Sequence, residues 1–177
     1  NISEIGGLII GEDGKIQQWM NDNDIAYTGS GPESSSLCMD KARSKSFAKL
    51  MGIKTPDWEL IKNPNEIPKL QFPIVIKPNR QGSTFGLTIV NHEKQLSLAM
   101  QKAFKYGNNI IAEEYIAGRE ITVPVLGKRV CPIIEIKPAH DFYDYDCKYT
   151  PGLTEYHCPA ELEGEISNAI KEDTALL

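Results

Sequence analysis

The sequence has few cysteines, and none of them stand at a metal-binding spacing. The four thiols are Cys38, Cys131, Cys147 and Cys158, without a Cys-x-x-Cys pair. Zinc sites and disulfide frameworks usually show such spacings. We therefore expect isolated free thiols, which suit a reducing cytoplasm. The three histidines are equally far apart in the sequence, which favours surface or loop positions over a metal site.

Long apolar runs and an excess of positive charge are also missing. No run approaches the ~20 apolar residues that a transmembrane helix needs, and no secretory signal pattern is visible. Acidic residues number 24 and basic residues 19, for a net charge of −5. That balance argues against a dominant nucleic-acid or membrane surface. We expect a cytoplasmic protein with neither kind of partner. Both ends look cut within a pattern, so we expect a piece of a longer protein.

The most informative stretch lies in the middle of the chain. The β-branched run Ile74–Ile76 predicts a buried strand with Lys77 at its end. A polar loop, Gly82–Gly86, follows, and Thr88–Val90 returns as a second strand. A strand-fixed lysine facing a loop of small residues is a phosphate-binding arrangement. It is neither a P-loop nor a dinucleotide fingerprint, and an ordinary hairpin with a solvated lysine remains the alternative.

Periodicity and turn signals predict the other elements. Helices are expected at 15–21, 34–51 and 93–106, with Asp40 as an internal cap of the second, and at the C-terminal end. Strands are expected at 25–27, 58–61, 110–116, 121–126 and 130–136, the last two as a hairpin around Gly127. Residues 58–136 then form a small α+β unit with an antiparallel sheet.

Two groups of residues suggest nucleotide chemistry. Lys41, Lys77 and Lys148 come from three separate elements and could converge on a polyanion. The alternative for Lys41 is a solvated lysine at a helix start. The aromatic and acidic segment 141–149, which contains Lys148, resembles loops that are ordered by what they bind. The alternative for that segment is a structural Ω-loop packed on its own rings.

The second group lies around a strand end. Glu113 and Glu120 flank the apolar side chains of Tyr115 and Ile116. An adenine nucleotide needs an apolar slot, free backbone hydrogen-bonding groups and a carboxylate. Together the two groups predict a nucleoside triphosphate held between two sheets.

Six motifs then occur in order along the chain, and as a set they are far more specific than any one of them. They are Tyr27–Gly31, Met39–Lys41, Ile76–Pro78, Gly82–Gly86, Glu113–Glu120 and Phe142–Tyr149. The set resembles the D-alanine–D-alanine ligases, ATP-grasp enzymes of bacterial cell-wall synthesis, over about residues 11–162. The resemblance implies an α+β or α/β ATP-grasp fold. It also implies an N-terminal domain end at 1–30, a central antiparallel-sheet subdomain at 31–136, and an ω-loop with the start of a truncated C-terminal subdomain at 137–177.

The resemblance also implies site residues. It implies catalytic roles for Ser83, Lys148 and Tyr149. It implies nucleotide contacts for Lys41, Lys77, Ser83, Thr84, Glu113, Glu114, Tyr115, Ile116, Glu120, Phe142 and Lys148. Lysines would hold phosphates, Glu113 and the Glu114–Ile116 backbone would read adenine, Glu120 would hold the ribose, and Tyr149 with Ser83 would close the D-alanine site.

The implied reaction uses ATP and Mg²⁺. One D-alanine becomes an acyl phosphate, and the amine of a second attacks it to give the dipeptide for peptidoglycan precursors. Family metal ligands are expected beyond Leu177, so no metal-binding residue is predicted in this chain, and a homodimer is expected. Thr84 departs from the family, where a second serine is usual. Two other functions stay open: an ATP-grasp ligase for other amino or carboxylic acids, and a non-catalytic nucleotide-binding module.

Overall fold

The structure is a computed structural model that describes residues 12–177 and, before them, the backbone of two short strands. The helices are α1 (Lys15–Asp22), α2 (Pro32–Met39), α3 (Lys41–Leu50), α4 (Leu96–Phe104), α5 (Tyr145–Tyr149) and α6 (Gly164–Leu176), with a 3-10 turn, Glu93–Gln95, before α4. The strands are β1 (Glu4–Ile5), β2 (Leu8–Ile9), β3 (Trp58–Ile61), β4 (Ile74–Pro78), β5 (Thr88–Val90), β6 (Ile110–Glu114), β7 (Glu120–Thr122), β8 (Val125–Leu126), β9 (Arg129–Val130), β10 (Ile134–Pro138) and β11 (Thr154–His157). Apart from the β1–β2 pairing, the first part of the predicted 1–30 segment lies outside the described residues.

The first sheet holds the core of the molecule. Its strand order is β3-β6-β4-β5, and every neighbouring pair is antiparallel. Ile74 and Ile76 of β4 are fully buried and pack in a cluster with α4. Because successive side chains of a strand alternate between its two faces, Val75 and Lys77 point to the opposite face. The β-branched run thus anchors one face in the core and leaves the other for a site.

The strands of residues 58–136, which the sequence placed in one α+β unit, belong to more than one sheet. Strands β7 and β10 pair with each other, and β11 occupies the free edge of β10, giving the order β11-β10-β7. The chain leaves the first sheet after β6 through an irregular stretch, 115–119, that contains Gly118. Pairing with β11, some twenty residues after β10, is a long-range contact that local periodicity does not reveal.

The predicted hairpin around Gly127 is confirmed, but it is interrupted. β7 pairs with β10 at the base, and β8 pairs with β9 near the turn. Pro124 and Pro132 lie between the two paired regions. A proline has no N–H to give to a ladder, so pairing stops where the prolines stand.

The helix predictions are confirmed, and one strand prediction is wrong. Asp40 divides the 34–51 helix into α2 and α3 and caps α3, accepting a hydrogen bond from the Arg43 N–H at 3.2 Å. Residues 25–27 do not form a strand; the Ile25 N–H bonds the Met20 carbonyl at 2.8 Å and finishes the turn after α1. No helix in the described residues is both long and apolar enough to cross a membrane. The mixed α and β architecture with antiparallel sheets matches the predicted class.

Candidate functional site

A cavity of about 350 Å³ lies where the first sheet faces the start of the second. Such a volume falls within the range of small-molecule sites. Its walls come from β4, β5, β6, the glycine loop (82–86), the 115–120 crossing and the segment 141–149. The lining residues are Pro56, Val75, Lys77, Thr84, Leu87, Ile89, Glu113, Glu114, Tyr115, Ile116, Glu120, Phe142, Tyr143 and Lys148. All the predicted nucleotide contacts line this cavity except Lys41 and Ser83, which lie on adjoining elements.

Glu113 is nearly buried on the cavity face of the first sheet, between two lysines. One of its oxygens accepts a hydrogen bond from Lys77, and the other lies 3.0 Å from the Lys45 ammonium. Burial alone raises the pKa of the Glu113 carboxyl, but the two adjacent lysines more than offset it, so the pKa lies below its ordinary value. The carboxylate predicted to read adenine therefore also anchors a predicted phosphate ligand.

Lys41 is positioned by contacts between the α3 N-terminus and the end of β4. The buried Asn79 side chain accepts a hydrogen bond from the Ala42 N–H at 2.9 Å and donates one to Asp40 at 2.9 Å. The Lys41 ammonium then donates to the carbonyl of Gln81, at the start of the glycine loop, at 2.5 Å. Lys41 therefore lies beside the loop that the sequence predicts as part of a phosphate-binding arrangement.

The charges of the other two predicted lysines affect the pKa of Lys41. Burial lowers this pKa most, and the positive charges of Lys77 and Lys148 lower it further, against the opposite effect of Glu113 and Asp40; the resulting pKa is about 8. A partly buried lysine with two further cations close to it forms a strong anion site. This convergence is the electrostatic signature expected for a polyphosphate.

The glycine loop adopts an unusual backbone. Ser83 and Thr84 have φ values of 51° and 63°, in the left-handed region that few non-glycine residues visit. The side chains are held from across the cavity: the Thr84 hydroxyl donates to the Tyr143 carbonyl at 3.2 Å and accepts from the Lys148 ammonium at 2.7 Å. The Ser83 hydroxyl lies 2.7 Å from that of Tyr149. Such strained residues concentrate at functional sites, where their surroundings hold them.

A row of aromatic rings joins the same two segments. Ring centroids are 5.9 Å apart for Tyr106 and Phe85, 5.0 Å for Phe85 and Tyr145, and 4.7 Å for Tyr145 and Tyr149. The alternative prediction, a loop packed only on its own rings, is therefore incomplete, because Phe85 of the glycine loop lies in the row. Aromatic pairs at these separations attract each other, so the row stabilises the contact between the glycine loop and the segment 141–149.

The segment 141–149 contains a short capped helix that the sequence did not predict. Asp144 caps α5 by accepting from the Cys147 N–H at 2.9 Å, and its other oxygen lies 2.7 Å from His140 Nδ1. The backbone bond lowers the pKa of Asp144 most, and with the His140 bond brings it to about 2. Ligating atoms of His140, Asp144 and Cys147 lie within 4.8 Å of one another. Both Asp144 oxygens already have partners, so we assign this group a capping role.

Sequence reasoning missed Lys45 and Tyr143. Lys45 follows Lys41 by four residues in α3, a spacing that places both on one face of a helix, so its proximity to Lys77 could have been expected. Tyr143 contributes through its backbone and ring: its N–H donates to Glu120 at 3.3 Å, and the Lys148 ammonium lies 5.1 Å from its ring centroid. No sequence pattern predicts a backbone contact of this kind.

Comparisons with known proteins agree on one family. The profile described as D-ala D-ala ligase C-terminus matches residues 45–176. D-alanine–D-alanine ligase from Syntrophotalea carbinolica is 42% identical over 164 residues, covering 92% of this chain and 54% of that protein. The chain spans about half the length of the curated relatives it matches.

Solved structures of the same family also superimpose on this chain. A D-Ala:D-Ser ligase from Enterococcus faecalis superimposes with a TM-score of 0.80 at 35% identity, over 94% of this chain and 51% of that one. A D-alanine–D-alanine ligase from Bacillus anthracis complexed with ATP gives 0.76 at 34%, over 93% and 55%.

Proposed function

Because this chain belongs to the D-alanine–D-alanine ligase family and has its ATP-grasp fold, we propose that its cavity binds ATP for the ligation of two D-alanine molecules. In this reaction the first D-alanine carboxylate takes a phosphoryl group from ATP. The amine of the second D-alanine then displaces phosphate to give a dipeptide for peptidoglycan precursors. The relative from Bacillus anthracis with bound ATP supports the nucleotide.

The observation that carries this proposal is the convergence of Lys41, Lys77 and Lys148 at a cavity that is also lined by apolar and acidic side chains. Phe142 and Ile116 offer apolar surface for a base, and Glu120 offers a carboxylate for ribose hydroxyls. Cations for a triphosphate, together with apolar and carboxylate groups for a nucleoside, match the chemistry of ATP. The lysines would neutralise charge on the transferring phosphoryl group.

The contacts of Ser83 and Tyr149 support a role at the amino-acid side of the site. Their hydroxyls join the glycine loop to the segment 141–149. With these segments in contact, an acyl phosphate beneath them would be shielded from water, which would otherwise hydrolyse it. We assign Lys148 to the γ-phosphate and Tyr149, with Ser83, to closure of the D-alanine site.

The residues described here do not fit a magnesium site. Magnesium prefers several oxygen ligands, usually carboxylates together with substrate phosphates. Among the cavity carboxylates of residues 12–177, Glu113 is paired with two lysines and Glu120 accepts the Tyr143 N–H, and Glu114 alone cannot supply several oxygen ligands. We therefore assign no step to a metal on this part of the chain.

A ligase with a different second substrate is the second candidate function. The observation in its favour is the structural similarity to a D-Ala:D-Ser ligase. The described residues are compatible with either D-alanine or D-serine as the second substrate. We also propose, from the family, a cytoplasmic homodimer. Light scattering on the full-length gene product would test the dimer: a monomer mass would contradict it.

The activity test uses the full-length gene product with ATP and four acceptor conditions: D-alanine, D-alanine with D-serine, L-alanine, and none. We expect phosphate release that requires D-alanine, with the D-alanyl dipeptide identified by mass. If the mixture of D-alanine and D-serine gives more D-Ala-D-Ser than D-Ala-D-Ala, the second candidate is correct. ATP binding without phosphate release under any condition would contradict both ligase functions.

A further inference from the structure

Lys45 is a nearly buried cation to which the family resemblance gave no role. Its side chain is only 12% exposed. The ammonium donates to the Thr55 hydroxyl at 2.6 Å and lies 3.0 Å from one oxygen of Glu113. Two fixed partners at these distances hold the ammonium in one place. A lysine in such a position costs desolvation free energy, so its burial calls for an explanation beyond solubility.

The other oxygen of Glu113 is bonded to Lys77. One carboxylate thus lies between two ammonium groups, all three with side chains no more than 20% exposed. Lys77 is one of the three lysines that the proposed function assigns to ATP phosphates. A phosphate that binds the Lys77 ammonium competes with Glu113 for its N–H donors, so nucleotide binding weakens that ion pair.

A buried carboxylate that loses its cationic partner has a high free energy. With Lys45 present, Glu113 keeps one cation when Lys77 turns to the phosphate. Without Lys45, Lys77 would be the remaining cation at this carboxylate, and nucleotide binding would have to break a stronger attachment.

We propose that Lys45 is a positioning residue for nucleotide binding: it holds Glu113 ionised and in place so that Lys77 is released to the phosphates. The proposal rests on the proposed nucleotide site. Lys45 is not among the residues that line the cavity, so its effect on nucleotide binding passes through Glu113. It should therefore change nucleotide affinity and leave the chemical step alone.

The test measures ATP affinity and steady-state kinetics for the full-length protein with Lys45→Met, Lys45→Arg, Glu113→Gln and the Lys45→Met/Glu113→Gln pair. We expect Lys45→Met to weaken ATP binding by about tenfold and to raise KM for ATP similarly, with kcat within about twofold. Lys45→Arg should retain most of the affinity, because it keeps the charge. In the Glu113→Gln background, Lys45→Met should change affinity by less than about twofold.

Lys49→Met is the matched control. Lys49 lies one turn further along α3, and its ion pair with Asp57 is exposed, at 3.8 Å. We expect its ATP affinity and thermal unfolding temperature to equal those of the wild type. The thermal midpoint of each Lys45 variant shows whether the variant is folded, and rescue by arginine separates charge from packing.

Three outcomes would overturn the proposal. ATP affinity unchanged in Lys45→Met would do so, as would an equal loss with and without Glu113, or a fall in kcat with an unchanged KM. These outcomes are distinct from failure of the ligase function, because wild-type dipeptide synthesis is measured separately. If the wild type forms no dipeptide but the variants show the predicted pattern of ATP affinities, the ligase function fails and the role of Lys45 in nucleotide binding stands.

Discussion

The hydroxyl groups of Ser83 and Tyr149 lie 2.7 Å apart although 66 positions separate them in the chain. The bond joins the glycine loop to the segment 141–149 on the cavity side of the molecule. Beside it, Lys148 donates to Thr84. Two side-chain hydrogen bonds between adjacent residues therefore hold the glycine loop against the segment 141–149.

Removing the Tyr149 hydroxyl should weaken this contact. A single hydrogen bond contributes about 1 kcal/mol. We expect Tyr149→Phe to lower kcat/KM for D-alanine about fivefold, while ATP affinity stays within about twofold. Steady-state kinetics on the full-length gene product measures both. Tyr106→Phe, which removes a hydroxyl from the far end of the aromatic row, serves as the control. An equal loss in both variants would argue against a specific role for Tyr149.

Phe85 should control access of water to the intermediate. Its ring connects Tyr106 to Tyr145, and its removal opens a gap between the two segments. We expect Phe85→Ala to release more phosphate than dipeptide, because water would compete for the acyl phosphate. Phe85→Tyr keeps the ring and should keep the two products equal. A one-to-one product ratio in Phe85→Ala would show that the ring does not exclude water.

The pKa of Lys41 predicts how ATP affinity depends on pH. Binding favours the charged ammonium, and the pKa of the free protein is about 8. Phosphates raise this pKa in the complex, so affinity should be constant below about pH 7 and fall as the pH rises through 8, by up to tenfold per pH unit. Calorimetric titration between about pH 7 and pH 9.5 measures it. Arginine stays charged over this range, so Lys41→Arg should remove the fall in ATP affinity. An equal fall in that variant would show that another group causes the pH dependence.

Gly86 should be irreplaceable for stability. Its φ is 73°, and an added Cβ would lie 2.8 Å from the Tyr106 ring and 2.9 Å from Pro78. We expect Gly86→Ala to lower the free energy of unfolding by about 1–3 kcal/mol, measured by urea denaturation. Gly118→Ala is the control, since a Cβ there meets nothing within 4 Å. Equal stability of the two variants would contradict the packing described around Gly86.

Much of the site could be predicted because local patterns fix it. The alternation of β4 places Ile74 and Ile76 in the core and Lys77 on the opposite face, and this follows from the two-residue period alone. The cap at Asp40 is likewise local, since an aspartate bonds the N–H three residues later. Through the family resemblance, the motif order indicated most of the other polar cavity residues but not Tyr143.

The remaining features depend on long-range contacts. The pairing of β10 with β11 divides the strands into two sheets, and nothing near β10 specifies that partner. The Lys45–Glu113–Lys77 group joins residues up to 68 positions apart. The left-handed conformation of Thr84 also runs against its own preference as a β-branched residue, because contacts from Tyr143 and Lys148 hold it.

The ATP affinity of Lys77→Ala tests most directly whether the cavity is the nucleotide site. Calorimetric titration of the folded full-length variant should give binding at least about tenfold weaker than wild type, because a charge-assisted phosphate contact is lost. Lys94→Ala, on the exposed turn before α4, should bind as the wild type does. Unchanged affinity in Lys77→Ala would contradict the assignment of this cavity to ATP.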